Sequence, residues 1–330
     1  MPAETTRHER TLMAWPTAEM AEMGLWGDAG LSGARSVYAE IARAIAWHEP
    51  VTMIAAPAEA DSATESCGSG VDVVALPLDD SWIRDTGPVV VVDGDGARHA
   101  LHFRFNAWGE KWLSYAADAA VGGAIASYLG LPVHGVPMVL EGGSIAVDGH
   151  GTLVTTERCL LNPNRNPTMT KGEIEGTLRS RLGVDRVVWL ADGIAEDDGT
   201  DGHVDNVVAF SGPRRALLLG GDDPSNPNHA IARGSRRHLE AAGVEVVDIP
   251  VLPYARVGDS RSLPVPYVNL YALNAAVLVP TTGAGSDAAM LEIIAAEYPG
   301  REVIQVPGAV LAHGGGGVHC ITQQIPAPAA

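Results

Sequence analysis

The sequence predicts an α/β chain made of about five like units, stacked or closed into a ring. Three observations predict it. Strand-like segments that open on polar residues recur, as DDSWIRDTGPVVVV near Asp85, EGGSIAVDGHGTLVTT from Glu141, GHVDNVVAFSGPRRALLLGG at His203, PYVNLYALNAAVLVPTT at Tyr267 and VHCITQQ at Cys320. Their positions, 85, 141, 203, 267 and 320, lie 56, 62, 64 and 53 residues apart, and self-similarity at a steady period marks a repeated supersecondary unit. Within each segment, β-branched runs are bounded by Gly, Pro or Asp, with DGDG, DGHG and SGPR as hairpin turns.

In chain order, the helix pattern GARSVYAEIARAIAWHEP precedes the strand VTMIAAP. Later, KGEIEGTLRSRLG sets Ile174, Leu178 and Leu182 four residues apart, on one helical face. NHAIARGSRRHLEAAG and SDAAMLEIIAAEYPG are alike, each closing at a Gly that suits a helix C-terminus. A short apolar strand follows each: DRVVWLA, VEVVDIPV and REVIQVP. The unit is therefore strand–strand–helix–strand. No low-complexity linker divides the chain, so residues 1–330 are read as one domain. In a ring, the polar starts would converge on one axis, bringing together Trp82, Arg84 and Asp85 with Glu141, His203 and Asp205, then Tyr267 and Asn269, then His319 and Cys320.

Composition narrows the function. With 22 basic and 40 acidic residues the net charge is −18, which opposes nucleic-acid binding and suits a small cationic ligand, although an acidic surface also serves solubility. No apolar run approaches the roughly 20 residues of a membrane span, and the N-terminal segment lacks the apolar stretch of a signal peptide. A cytoplasmic location without membrane association is expected. The three cysteines, Cys67, Cys159 and Cys320, are odd in number and form no CxxC pair, which fits a reducing compartment and no cysteine-rich metal site. Cys67 falls in a polar segment expected to be a loop, and Cys159 in the apolar run RCLL.

Cys320 stands apart, behind GGGGVH. A nucleophilic cysteine needs a base or a cationic neighbour to form thiolate. If 318–322 is a strand, His319 points away from Cys320, so His203, which shares a face with Asp205, is the preferred partner. Asp85, Glu141 and Asp205 are wrong for an oxyanion and right for a guanidinium, which carboxylates bind in bidentate fashion. Trp82 adds a cation–π face. Singly, each has a plainer reading: Asp85 with Arg84 as an ion pair, Asp79 and Asp80 as a solvated turn, Glu141 as a strand-end carboxylate, His203 and Asp205 as metal ligands, Gly314 to Gly317 as a flexible loop, the tryptophans as core.

Together, GGGGVHCITQQIP, DDSWIRDTGP, FNAWGEKW, EGGSIAVDGHGTLVTTERCLLNPNRNP and DGHVDNVVAF resemble the agmatine deiminase family, which also includes bacterial peptidyl-arginine deiminases. The resemblance runs from HERTLMAWP to HCITQQ. It implies a pentein fold, a five-bladed α/β propeller of ββαβ units about a pseudo-fivefold axis, and guanidine hydrolysis without metal or organic cofactor. It further implies Cys320 as nucleophile, His203 as general acid and base, Asp85 and Asp205 on the guanidinium nitrogens, Glu141 supporting His203, and Trp82 in the substrate pocket. Agmatine would give N-carbamoylputrescine and ammonia. Two positions depart from the usual pattern. Gly317 stands where many members have Asn, and Asp201 replaces another Asn; both are expected near the pocket, Gly317 as part of substrate binding, so another guanidino substrate stays open. So do an amidinotransferase activity, a non-catalytic guanidine-binding ring, and homo-oligomerisation.

Overall fold

The computed structural model describes residues 1–22, 24–112, 114–221 and 223–328. β1 (His8–Ala14) runs parallel to β2 (Val51–Ala55) after the helix Gly30–Ala46, and β3 (Val71–Ala75) adds parallel to β2. The next unit pairs β4 (Val89–Val92) antiparallel with β5 (Arg98–Arg104), crosses through the helix Ala116–Tyr128, and lays β6 (Val133–Val139) parallel to β5. The same pattern returns in β7 (Ile145–Val147), β8 (Thr152–Thr156) and β9 (Arg186–Leu190) around the helix Lys171–Leu182. It returns again in β10 (Val208–Gly212), β11 (Arg215–Leu219) and β12 (Glu245–Ile249) around Pro227–Ala241. A small hairpin, β13 (Tyr254–Ala255) and β14 (Leu263–Pro264), precedes β15 (Tyr271–Ala272), β16 (Ala276–Thr281) and β17 (Glu302–Pro307), which enclose Asp287–Glu297. Last, β18 (Gln323–Pro326) pairs antiparallel with β1, so the fifth strand–strand–helix–strand unit is assembled from both ends of the chain.

Local chemistry explains the elements. The helix Lys171–Leu182 opens on a capping box: the Thr170 hydroxyl accepts the Glu173 N–H, and the Glu173 carboxylate accepts the Thr170 N–H at 2.8 Å. It buries Ile174, Leu178 and Leu182, as their spacing predicts, and Gly183 closes it in the left-handed region at φ 66°. Gly30–Ala46 buries Val37, Ile41 and Ile45 on one face against β2, whose five residues are all buried. Each such aliphatic side chain contributes roughly 1.5–3 kcal/mol by leaving water.

Two expectations and one of the plainer readings need correction. Cys67 lies not in a loop but at the end of the helix Ala60–Cys67, where it and Ala63, one turn apart, are buried. Val318 to Ile321 form a turn rather than a strand, held by the Thr322 hydroxyl donating to the Val318 carbonyl at 2.9 Å and by the Thr322 N–H on the His319 carbonyl; strand structure starts only at Gln323. Asp80 is not solvated: it is 4% exposed beneath the segment that leads to Trp82.

Candidate active site

The opening segments of the units do meet. Glu141 ends the chain after β6, and Gly142 and Gly143 let that backbone pass against the helical turn Ile83–Thr86. A methyl group on Gly143 would stand 2.6 Å from His203 Nδ1, 2.9 Å from Asp205 Oδ2 and 3.0 Å from Asp85 Oδ1. Glycine is required there because three buried side chains close around the place a Cβ would take. The Gly143 N–H donates to Asp85 Oδ1 at 2.8 Å, and the Trp108 indole N–H donates to Asp85 Oδ2, also at 2.8 Å. Trp108 is delivered by a strained segment in which Ala107, Trp108 and Glu110 have φ between 53° and 61°. Arg84 is not Asp85's ion partner; its guanidinium pairs with Glu4 at 3.1 Å.

Cys320 is buried, with its sulfur 3.4 Å from Asp205 Oδ2 and 3.4 Å from the Asn269 amide nitrogen. Neither histidine is hydrogen-bonded to the sulfur among the described residues. His319 instead turns beneath the site and donates Nδ1–H to Asp205 Oδ2 at 2.9 Å, while its Nε2 meets Glu4 Oε2 at 3.0 Å. A carboxylate on each nitrogen favours the imidazolium form of the ring. Burial and Arg84 oppose that charge, but Glu4 and Asp205 outweigh them and raise its pKa. In turn, burial would raise Glu4, yet His319 and Arg84 pull it down to about 2. Burial also works against ionising Asp205, and the hydrogen bond and charge of His319 reverse this, leaving its pKa low. Cys320 is the opposite case: burial first, then the charges of Asp205 and Asp85, push its thiol well above the usual range.

His203 lies across from Cys320's carboxylates, 3.9 Å from Asp85 Oδ2, with its backbone N–H fixed by Asp197 Oδ2 and the Thr200 hydroxyl at 3.1 Å each. Glu141 is completely buried and accepts from Arg165 Nε at 2.7 Å through Oε1. Glu141 Oε2, His203 Nε2 and Asp205 Oδ1 are buried without hydrogen-bond partners. Burial, then Asp205 and Glu141, raise Asp85, against the pull of His203. Glu141, Cys159 and His203 offer ligand atoms within 4.8 Å of one another, a three-membered group that could hold a metal; the Arg165 guanidinium on Glu141 opposes a cation there.

Cys320 opens to a pocket with roughly 430 Å³ of empty space, whose wall includes Trp82, Asp85, Trp108, Asp80 and Thr200. Trp82 stacks on Trp26 at 5.6 Å, and both rings lie on the glycine run: a methyl on Gly316 would meet the Trp82 ring at 2.6 Å. Thus Gly314, Gly316 and Gly317 are packed backbone rather than a free loop, and Gly315 between them is exposed. Gly317 is buried under Asn269, with its N–H toward the Cys320 sulfur, and does not line this pocket. Asp201, at φ 63°, pairs with Arg165 and with Lys111 at 2.8 Å, away from the pocket wall. Cys320, His203, Glu141, Asp85, Asp205 and Trp82 therefore cluster. Tyr267, grouped with them by sequence, turns its hydroxyl to Asp287 at 2.6 Å. Trp108 was weighed only as core, and Glu4 and Arg165 were not singled out; Trp108 and Arg165 lie inside the quoted motifs, while nothing local marks Glu4.

Residues 1–326 match the sequence profile of the Porphyromonas-type peptidyl-arginine deiminases. The chain belongs to that family. A curated relative from Streptomyces coelicolor, provisionally named an agmatine deiminase, is 38% identical over 338 residues, covering 99% of this chain and 98% of the relative. Another from Legionella pneumophila, with the same provisional name, is 36% identical over 334 residues, covering 99% and 94%. Among solved structures, the agmatine deiminase of Enterococcus faecalis superposes with a TM-score of 0.92 at 28% identity, covering 99% of this chain and 95% of that one. The peptidyl-arginine deiminase family membership makes this chain an enzyme, a hydrolase of carbon–nitrogen bonds with a mixed α/β fold. No helix among the described residues is long and apolar enough to cross a membrane.

Proposed function

We propose that the chain hydrolyses the guanidinium group of agmatine to N-carbamoylputrescine and ammonia through a covalent adduct on Cys320. One observation carries this reading: Glu141 Oε2, His203 Nε2 and Asp205 Oδ1 are buried without partners around a cysteine, in a setting where Asp85 and Asp205 have no Arg or Lys partner among the described residues. Unpaired buried carboxylate oxygens are costly, and a planar cation with five N–H donors satisfies them. The names of the relatives point to the same chemistry.

In this reading the guanidinium lies on Asp85 and Asp205, beside Trp82, and its charge offsets the carboxylates that suppress Cys320 ionisation. Cys320 thiolate forms a C–S bond to the guanidinium carbon, giving a neutral tetrahedral adduct. His203, entering as imidazolium, protonates one amino group; the C–N bond breaks, ammonia departs and an S-alkylthiouronium remains. Water then forms a C–O bond as His203 takes its proton. The C–S bond breaks, returning thiolate, and the last proton of the protonated urea leaves as ammonium. Glu141 orients His203, and no metal or organic cofactor takes part.

The reading includes the five-bladed ring, supported by five units of one topology and by closure of β18 on β1. It takes residues 1–330 as one catalytic domain, and places it in the cytoplasm, in keeping with three unbridged cysteines. The test is incubation with agmatine, arginine and other guanidino amines without added metal, measuring ammonia and ureido product. Equimolar products from agmatine, abolished in Cys320→Ala, are expected. Turnover that survives Cys320→Ala overturns the cysteine mechanism, and a new guanidine formed from an added amine marks amidino transfer instead.

A further inference from the structure

We propose that Arg165 is a positioning residue that sets Glu141, and through it His203, in place for the reaction. The inference rests on the guanidine-hydrolase reading above and gives a role to a residue which that reading does not use. Arg165 is 3% exposed, and its guanidinium divides its donors among four partners. Nε donates to Glu141 Oε1 at 2.7 Å, Nη1 to Asn164 Oδ1 at 2.8 Å and to Asp201 Oδ2, and Nη2 to the Thr200 carbonyl at 2.9 Å. Two of these partners lead to His203 by separate routes. With Oε1 occupied, Oε2 is the Glu141 oxygen left free; it is buried without a hydrogen-bond partner, as is His203 Nε2, and the two side chains offer polar atoms within 4.8 Å of one another. Thr200, held at its carbonyl, accepts the His203 backbone N–H on its hydroxyl at 3.1 Å and also lines the pocket.

The segment that delivers Trp108 rests on the same side chain. A methyl on Gly109 would stand 2.7 Å from Arg165 Nη1, and the Asn106 amide donates to the Asn164 carbonyl at 2.9 Å. Three stretches far apart in sequence, carrying Trp108, Glu141 and His203, are thereby gathered on one guanidinium. Its charge is matched on both sides, by Glu141 inward and by Asp201 outward, and Lys111 in turn pairs with Asp201 at 2.8 Å and donates to the Gly199 carbonyl at 3.0 Å. The geometry asks for a planar fork. A lysine keeps the charge, but its single nitrogen on a flexible stem cannot meet Glu141, Asp201 and Thr200 from one fixed plane.

The nearest alternative is that Arg165 is a buried ion pair that only holds the fold together. A double-mutant cycle separates the two roles. Steady-state kinetics and thermal melts are measured for the wild type, Arg165→Lys, Glu141→Gln and the double variant, on the guanidine that the wild type turns over fastest. Arg165→Lys is expected to lower kcat by roughly 100-fold, the cost of a misplacement of about 1 Å, with KM within about three-fold of the wild type. The double variant is expected to be no slower than Glu141→Gln alone, because residues that act as a unit are not additive. Losses that multiply in the double variant show that Arg165 acts independently of Glu141, and overturn the proposal. So does a lower Tm with kcat unchanged, or a loss confined to KM, readouts that stand even where Glu141→Gln is too slow to compare. Where Arg165→Lys does not fold, Asp201→Asn replaces it in the cycle, removing the outer charge while keeping an oxygen for the guanidinium. A roughly 10-fold loss of kcat that vanishes on the Glu141→Gln background is then expected; an unchanged kcat, or a loss that persists on that background, overturns the role. A wild type silent on every guanidine removes the hydrolase reading and this role with it, whereas the other adverse outcomes remove the role alone.

Discussion

Replacing Glu4 by Gln removes one charge from beneath the site, and its effect follows from the chain Glu4–His319–Asp205–Cys320. The links measure 3.0, 2.9 and 3.4 Å. Glu4 is held at about 2, against an ordinary 4.5. A displacement of roughly two and a half pH units corresponds to about 3 kcal/mol favouring the ionised carboxylate. The side chain is 19% exposed, so solvent screening leaves about 2 kcal/mol as the expected loss of stability at neutral pH. The catalytic consequence is separate. His319 is raised above 6.5, so its charged contribution is complete below that pH and is lost as pH rises through its folded value. Burial and Arg84 act against the imidazolium, and without Glu4 only Asp205 supports it, so that loss moves to lower pH. The assay is kcat/KM against pH from about 6 to 9.5 for the wild type, Glu4→Gln and Glu4→Asp, with thermal melts in parallel. An alkaline limb displaced to lower pH in Glu4→Gln and restored toward wild type in Glu4→Asp is expected. A lower Tm with an unmoved limb would refute the argument, leaving Glu4 a structural residue only.

Three further outcomes follow from the geometry. Gly143→Ala places a methyl among Asp85, His203 and Asp205, and should lower kcat/KM by roughly 100-fold or more, since misplacement of about 1 Å costs that much; near-normal kinetics would mean that the three side chains are not fixed there. Alkylation of Cys320 by iodoacetamide, followed by mass spectrometry, should keep accelerating past pH 9 in the free protein, because burial, Asp205 and Asp85 hold the thiol neutral; a plateau below pH 8 contradicts this. Asp80→Asn should be more stabilising at pH 8 than at pH 5, because an acid raised from 3.8 to about 7 destabilises the fold progressively across that interval, by at most on the order of 4 kcal/mol. Thermal melts at the two pH values check it, and an equal shift at both removes the argument.

What could be read in the sequence was whatever repeats or alternates. The five units show because each carries its own turn, helix period and strand, and Ile174, Leu178 and Leu182 are buried as spaced. Convergence of Asp85, Glu141, His203, Asp205 and Cys320 follows from their common place at unit starts, as the Gly143 environment and the Asp205–Cys320 contact bear out. What failed depends on contacts between distant segments. Taking 318–322 as a strand sent His319 away from the site, whereas a turn carries it under Asp205. A solvated turn at Asp79 and Asp80 was the plainer reading because acidic side chains are usually exposed; the approach of Asp118, in a helix over thirty residues on, leaves Asp79 half-buried and Asp80 buried. Glu4 has no local signature at all, since its partners lie at residues 84, 272 and 319.

The distribution of charge ties these features together. Below Cys320, acids and bases are matched: Glu4 with Arg84 and His319, His319 with Asp205. On the pocket side they are not, for Asp80 and Asp85 line the pocket and pair with no Arg or Lys among the described residues. A matched layer holds groups in place, while an unmatched one raises the free energy of the empty site and lowers it again when a cation enters. Burial, then the charges of Asp205 and Asp85, keep the Cys320 thiol protonated, and in the proposed reading an entering guanidinium offsets those charges. Binding and activation then share one cause. In the proposed hydrolysis a neutral urea product would neither satisfy Asp85 nor favour the thiolate, so the arrangement that draws a guanidinium in would also let the product go.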